Sequence, residues 1–227
     1  MSLVIAIDGP SGSGKSTVSR AVAKQLNLAY LDTGAMYRAA AVEVARHGAL
    51  DQVEAMPALV EAMELVIALD PTAPVVYLDG EDISELIRSP DVSAKVSRVS
   101  TVPGVRQVMI ALQQAVIGRE RTPAGWAQGR GVVAEGRDIT TVVAPDAEAR
   151  LLLTASPKTR LARRAAEVHG AASGAALAAT ADAVHRRDRD DSTVAEFLQP
   201  APGVVLVDST ELSLEQTIAQ VLALVAS

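Results

Sequence analysis

The clearest chemistry in this sequence of 227 residues lies near its start, where residues 9–16 read Gly-Pro-Ser-Gly-Ser-Gly-Lys-Ser. This stretch fits G-x-x-x-x-G-K-[ST], the pattern of a phosphate-binding loop. Glycines let such a loop curl so that consecutive backbone N–H groups point at phosphate oxygens, and the helix behind it directs its positive end to the same place. We therefore expect a nucleoside triphosphate here, with Lys15 at its β- and γ-phosphates and the Ser16 hydroxyl on Mg²⁺. The residues expected to bind the nucleotide are Gly9, Pro10, Ser11, Gly12, Ser13, Gly14, Lys15, Ser16 and Thr17.

Arginines beside predicted turns form a second candidate set. A small kinase needs such cations around its acceptor, because the guanidinium fork matches phosphate geometry. Arg137 directly follows a buried run, which is where parallel α/β sheets place ligands. Three further arginines recur at i, i+3 and i+4 on one face of a predicted helix. The candidates are Arg38, Arg106, Arg137, Arg160, Arg163, Arg164 and the charged cluster at 186–191.

Single residues help to decide between other classes of protein that contain a phosphate-binding loop. Signalling GTPases read guanine with Asn-Lys-x-Asp, but the only asparagine, Asn27, precedes Leu28, which excludes that class. An ATPase usually needs a strand that ends in a carboxylate near Mg²⁺. Glu135 ends the apolar run 132–134, so an ATPase switch stays open as an alternative. The same carboxylate either orders water on Mg²⁺ or pairs with Arg137.

Short apolar runs alternate with helix-period segments along the chain, which predicts a parallel α/β sheet flanked by helices. The expected strands lie at 3–7, 30–31, 132–134, 150–154 and 203–207, so five strands are expected. Residues 57–68 are expected to form a helix, and the turn at 79–80 predicts an antiparallel hairpin inserted between about 34 and 131. The Ala/Gly-rich segment 170–181 is expected to be either a helix or a linker.

Composition excludes several functions. Aromatic residues make up 2% of the chain, which is too few for base-stacking platforms, and the absence of cysteine excludes disulfides and thiolate chemistry. The net charge of −6 argues against a protein that coats nucleic acid or an anionic membrane. That charge is uneven. Residues 51–91 hold ten acidic side chains against Arg88 alone, a net charge of −9, so the rest of the chain carries +3.

Beyond these patterns, the sequence resembles the bacterial cytidylate kinases over nearly its whole length. The most specific matches are Asp-Thr-Gly-Ala-Met-Tyr-Arg at 32–38 and Glu-Gly-Arg-Asp at 135–138. Weaker matches lie at 96–97, 103–106, 145–147 and 186–192. The resemblance implies transfer of the γ-phosphoryl group of ATP to CMP or dCMP, with Mg²⁺ as the accompanying cation. A kinase for another small acceptor, such as UMP, is the alternative.

The resemblance also implies roles for individual residues. Thr33, Ser97, Arg106 and Asp138 would read the cytosine, with Tyr37 packed nearby. Arg38 and Arg137 would hold the α-phosphate of the acceptor, while Arg186 and Asp190 would close over the nucleotide. Around the transferring group we expect Lys15, Mg²⁺ on Ser16 with Glu135 acting through water, Arg137, Arg160, Arg163 and Arg164.

The same resemblance implies a single nucleoside monophosphate kinase domain over 1–227. Its core would be 1–33 and 132–227, its monophosphate-binding insertion about 34–131 and its lid about 169–198. The chain departs from the family at Thr140, where glycine is usual, at Thr193, where an arginine is usual, and at Phe197-Leu198, where Pro-Leu is usual. With no secretory signal and no apolar run long enough for a membrane helix, we expect a cytoplasmic protein. We also expect it to be a monomer.

Overall fold

A computed structural model describes residues 2–170 and 173–226, apart from the side chains at 167, 169, 179, 183, 185 and 187. Its centre is a five-stranded sheet made of β1 Leu3–Asp8, β2 Ala29–Asp32, β6 Gly131–Gly136, β7 Ala149–Thr154 and β8 Val205–Asp208. The strand order is β2-β6-β1-β7-β8, and every neighbouring pair is parallel. The predicted fold class and strand number are therefore confirmed.

Eight α-helices are present in the described part of the chain. They are α1 Lys15–Leu26, α2 Thr33–Arg46, α3 Met56–Ala62, α4 Pro90–Ser100, α5 Pro103–Glu120, α6 Pro157–His169, α7 Gly174–Asp191 and α8 Leu214–Val225. Local signals in the sequence set several of their ends. Ser156 caps α6, for example, and Ser213 with Gln216 forms the capping box of α8.

Strand register brings the chemical residues to one edge of the sheet. Asp8 lies opposite Gly136, and Asp32 lies opposite Glu135. The central strands are buried throughout, as continuous apolar runs in a parallel sheet require. Because all five strands run the same way, the segments that follow β1, β2 and β6 emerge side by side.

The segment between β2 and β6 contains a second, antiparallel sheet made of β3 Leu65–Ile67, β4 Val76–Leu78 and β5 Glu81–Asp82. The predicted hairpin is present, with its turn at Asp79 and Gly80. The predicted helix over 57–68 is wrong at its C-terminal end, because α3 ends at Ala62 and residues 65–67 pair with β4. A short run of Leu, Val and Ile does not distinguish a helix from a strand, and pairing with β4 decides it here.

In the Ala/Gly-rich segment, Ser173 caps α7 through the backbone N–H of Ala176, and the helix continues from Gly174. The segment is thus helical from Gly174 onward, while residues 171 and 172 lie outside the described part. Among the described residues, no helix has the length and apolar character needed to cross a bilayer.

A buried carboxylate fixes the turn that follows β6. Asp8 accepts hydrogen bonds from the backbone N–H groups of Ile139 and Thr140 at 2.9 and 2.8 Å, and from the Thr140 hydroxyl at 2.6 Å. Burial raises the pKa of Asp8, and the hydrogen bonds from Thr140 counter that rise. Thr140, a departure from the family pattern, therefore ties its turn to the end of β1.

We predict that Thr140→Val lowers the free energy of unfolding by about 1–3 kcal/mol, because a buried carboxylate loses one of its donors. Urea denaturation at pH 7 measures the change. The control is Thr141→Val at the adjacent half-buried threonine, with an expected change within about 0.5 kcal/mol. Equal losses in the two variants would show that the Asp8 bond contributes nothing specific.

Candidate active site

A cleft of about 430 Å³ opens at the carboxyl edge of the sheet. Its walls come from the loop after β1, the start of α2, one face of α4, the end of β6 and the C-terminal part of α7. The cleft thus contacts both predicted sets, the phosphate-binding loop and several of the candidate arginines. The lining residues run from Ser11 to Ala195 in the chain, and the parallel sheet brings them together.

The loop after β1 has the backbone shape that its glycines predict. Gly12 and Gly14 have φ angles of +74° and +89°, in the left-handed region that favours glycine. A Cβ atom on Gly12 would lie 2.2 Å from the carbonyl oxygen of Arg160, so no larger residue fits there. Helix α1 begins at Lys15, which places its positive end at the cleft.

Three arginines bind the carbonyl oxygens on the outer side of this loop. Arg137 donates to Gly9 O at 2.6 Å, Arg160 to Ser11 O at 2.9 Å and Arg163 to Ser13 O at 3.2 Å. Arg163 also donates to the hydroxyl and carbonyl oxygens of Ser209. Alternate carbonyls of the loop are thus each held by a cation.

This arrangement differs from the expected cluster of cations around the transferring group. Of the three arginines on α6, Arg164 lines the cleft, whereas Arg160 and Arg163 do not. The guanidinium groups of Arg160 and Arg163 instead bond carbonyl oxygens of the loop. Arg160 also pairs with Asp188, and Arg163 also bonds Ser209. Arg137 lines the cleft as well as bonding the loop.

A buried acidic centre lies beside the loop. The Glu135 carboxylate is 4.0 Å from the Lys15 ammonium and accepts a 2.5 Å hydrogen bond from the Tyr30 hydroxyl. Burial raises the pKa of Glu135, with Asp32 adding to the rise, while Lys15 and the Ser16 hydroxyl oppose it. Burial also raises the pKa of Tyr30 well above its ordinary value of 10.0, so the phenol stays a proton donor. The arrangement presents carboxylate and hydroxyl oxygens next to Lys15.

The same cleft is also lined by Arg106 and Asp138, and the Arg106 guanidinium forms an ion pair with Asp138, which is 4% exposed. Burial raises the pKa of Asp138, and Arg106 lowers it. Tyr37 lies close by, and burial with the Asp138 charge raises its pKa to about 12. Thr33 contributes a hydroxyl that donates to Glu135 O at 2.7 Å. Together these side chains offer an acid, a guanidinium and hydroxyl groups in one pocket.

Arg38 is placed by the residue that begins its helix. Asp32 accepts a hydrogen bond from the Ala35 N–H at 2.7 Å, which caps α2, and its other oxygen pairs with Arg38 at 3.2 Å. One carboxylate therefore sets both the start of the helix and the direction of the arginine. Arg38 lines the cleft, as expected of an acceptor-binding residue.

Ser97 does not line the cleft, although α4 contributes to its wall. The lining residues of this helix are Pro90, Ser93, Val96 and Ser100, which share one face at helical spacing. Ser97 is half-buried, and its carbonyl oxygen accepts the Thr101 hydroxyl at 2.6 Å. Its role in reading a base stays a prediction.

The predicted lid residues Arg186 and Asp190 also lie outside the cleft lining. Arg186 is exposed, and neither it nor Asp190 lines the cleft, whereas Asp191 does. The reason is the phase of α7. Among its described side chains, the buried ones are Ala176, Thr180, Val184, Asp188 and Asp191, which share one face. Their spacing of four, four, four and three residues is a signal that the sequence contained. Thr193 is exposed, and Val194 and Ala195 line the cleft beside it.

Comparison with known proteins gives matches over nearly the whole chain. A sequence model of the family "Cytidylate kinase" matches residues 5–227. A cytidylate kinase from Cutibacterium acnes is 49% identical over 226 residues, covering 98% of this chain and 96% of that protein. A cytidylate kinase from Streptomyces griseus is 45% identical over 226 residues, covering 99% of this chain and 93% of that protein. The chain therefore belongs to the cytidylate kinase family.

Proposed function

We propose that this protein transfers the γ-phosphoryl group of ATP to CMP or dCMP and releases the corresponding diphosphate. The observation that carries the proposal is that one cleft is lined by two unlike groups of residues. One is the loop after β1 with Lys15, and the other surrounds the Arg106–Asp138 ion pair. Membership of the cytidylate kinase family supports the same reaction.

The acceptor base would bind beside the Arg106–Asp138 ion pair. Cytosine carries an amino donor beside ring and carbonyl acceptors, so a carboxylate, a guanidinium and the Thr33 hydroxyl complement it. Such a pocket rejects another base because buried polar groups would lose their partners. Arg38 and Arg137, which line the same cleft, would hold the α-phosphate of the acceptor.

Phosphoryl transfer demands alignment and positive charge more than covalent chemistry by the protein. The α-phosphate of CMP is already a nucleophile near neutral pH, so the acceptor needs no general base. Lys15 would stabilise charge on the β- and γ-phosphates, and Arg164 lies at the same cleft. Arg160 and Arg163 would act by holding the loop in shape.

The oxygens beside Lys15 suit Mg²⁺, a hard cation that usually combines one or two protein ligands with phosphate oxygens and water. Ser16 would supply a hydroxyl, and Glu135 would hold water bound to the ion. Mg²⁺ would neutralise charge that develops on the phosphates. Tyr30, which donates to Glu135, would keep that carboxylate directed at the site.

We also propose the expected division of labour along the chain. Residues 1–33 and 132–227 would form the core, about 34–131 the monophosphate-binding insertion and about 169–198 a lid that excludes water during transfer. The monomeric state and the cytoplasmic location stay predictions.

The acceptor specificity is predicted to favour cytosine. With ATP and Mg²⁺, initial rates for CMP and dCMP should exceed those for UMP and AMP by at least about tenfold in kcat/KM, because only cytosine satisfies the Arg106–Asp138 pair. A coupled assay of ADP formation measures the rates. Equal rates for all four acceptors would remove the proposed specificity, and ATP hydrolysis that does not depend on CMP would favour an ATPase instead.

Lys15→Met is predicted to lower kcat by about a hundredfold or more, because a cation is lost from the charge that develops in transfer. Thermal unfolding checks that the variant folds. Lys24→Met replaces an exposed lysine on the same helix and should leave kcat unchanged. Retention of more than a tenth of kcat by Lys15→Met would contradict the role of this residue.

Arg106→Lys is predicted to raise KM for CMP by about 5–100-fold while KM for ATP changes less than about twofold. The lysine keeps the positive charge beside Asp138 but loses the planar fork that contacts a base edge, a contact worth about 1–3 kcal/mol. The matched variant is Arg98→Lys at an exposed arginine of α4. An unchanged KM for CMP would place base recognition elsewhere.

A further inference from the structure

Asp188, on helix α7, makes three contacts with residues of the proposed transfer site. Its Oδ1 atom accepts the backbone N–H of Ser11 at 3.1 Å and lies 3.3 Å from Nη2 of Arg137. Its Oδ2 atom accepts Nη1 of Arg160 at 2.5 Å. The residue is 8% exposed, so water screens these interactions weakly. One carboxylate thus joins helix α7 to the loop after β1 and to two arginines.

Each nitrogen of the Arg137 guanidinium has a hydrogen-bond acceptor among the described residues. Besides Asp188, its Nε donates to Asp191 at 2.9 Å and its Nη1 donates to Gly9 O at 2.6 Å. The guanidinium carbon also lies 4.3 Å from the centre of the Phe197 ring, at a distance typical of a cation–π contact. An arginine side chain on its own populates many rotamers, so these contacts select one direction.

We propose that Asp188 is a positioning residue, which holds Arg137 and Arg160 in the geometry required for phosphoryl transfer and couples the lid helix to that geometry. Arg137 lines the cleft where the acceptor phosphate is proposed to bind. Arg160 supports the carbonyl oxygen of Ser11, whose N–H is bonded by the same carboxylate. Asp188 therefore acts through other groups and need not touch either nucleotide.

The physical reason lies in the balance of charge and direction. Two guanidinium groups close together repel each other unless anions lie between them, and Asp188 provides one anion that both share. Hydrogen bonds between ionised groups are short and directional, so the shared carboxylate also fixes the orientation of both planes. A reacting group misplaced by about 1 Å can lose a hundredfold in rate, which makes such positioning measurable.

The proposal rests on the proposed kinase activity, which the acceptor assay on the unmodified protein tests separately. The test variant is Asp188→Asn, because asparagine keeps the shape and an acceptor oxygen but removes the charge shared by the two arginines. The matched control is Asp182→Asn, an exposed residue of the same helix. Steady-state kinetics with CMP and ATP, thermal unfolding and calorimetric binding of ATP are measured for each.

We expect Asp188→Asn to lower kcat by about tenfold or more, with the dissociation constant of ATP and KM for CMP changed less than about threefold. The control should match the unmodified protein. A parallel rise in both KM values with kcat unchanged, or kcat within twofold of the unmodified protein, would overturn the proposal. A fall in kcat matched by a loss of ATP binding and of thermal stability would also overturn it, in favour of a purely structural role.

A double-mutant cycle tests whether Asp188 acts through Arg137. Because the two changes would remove one arrangement, their effects on kcat should not add. In an Arg137→Met background, Asp188→Asn should lower kcat less than about threefold. A full tenfold loss in that background would show that the carboxylate does not act through Arg137 and would overturn the proposal that it positions this arginine.

Discussion

The structure depends on how the loop after β1 is held, because a loop that turns its N–H groups toward phosphate turns carbonyl oxygens outward. Each outward carbonyl at positions 9, 11 and 13 accepts a guanidinium, from Arg137, Arg160 or Arg163. Arginine suits this task because it stays charged and offers several donors in a fixed plane. Since Arg137 follows β6 and the other two belong to α6, the loop keeps its shape only when the sheet and α6 are in place.

Much of the fold follows from local patterns in the sequence. Five apolar runs, the glycines at the loop and the caps at Ser156 and Ser213 are short-range signals, and the structure contains all of them. Residues 65–67 show where such signals end, because their apolar run fits either a helix or a strand. Pairing with β4 determines the outcome, and pairing is a long-range property that no local window contains.

In the candidate site, too, local sequence patterns predict the positions of some residues and not of others. Arg38, Arg137 and Asp138 lie at the cleft because each is close in sequence to a strand end, which is a place that the parallel sheet defines. Residue types on α7 do not show which side chains face the cleft, since that depends on the rotation of the helix. Asp188 and Asp191 are buried, whereas Arg186 is exposed, a difference set by helical phase rather than by residue type. The buried period from Thr180 onward reveals that phase.

The departures of this chain from its family pattern acquire a shared physical meaning. An arginine is usual where Thr193 stands, and this threonine is exposed, while the cleft wall beside it is formed by Val194 and Ala195. Arg137, which lines the same cleft, packs over Phe197, which stands in the stretch where Pro-Leu is usual. A proline ring has no π face, so this contact requires the aromatic residue. The Arg137 guanidinium is therefore held by two carboxylates, a carbonyl oxygen and an aromatic ring.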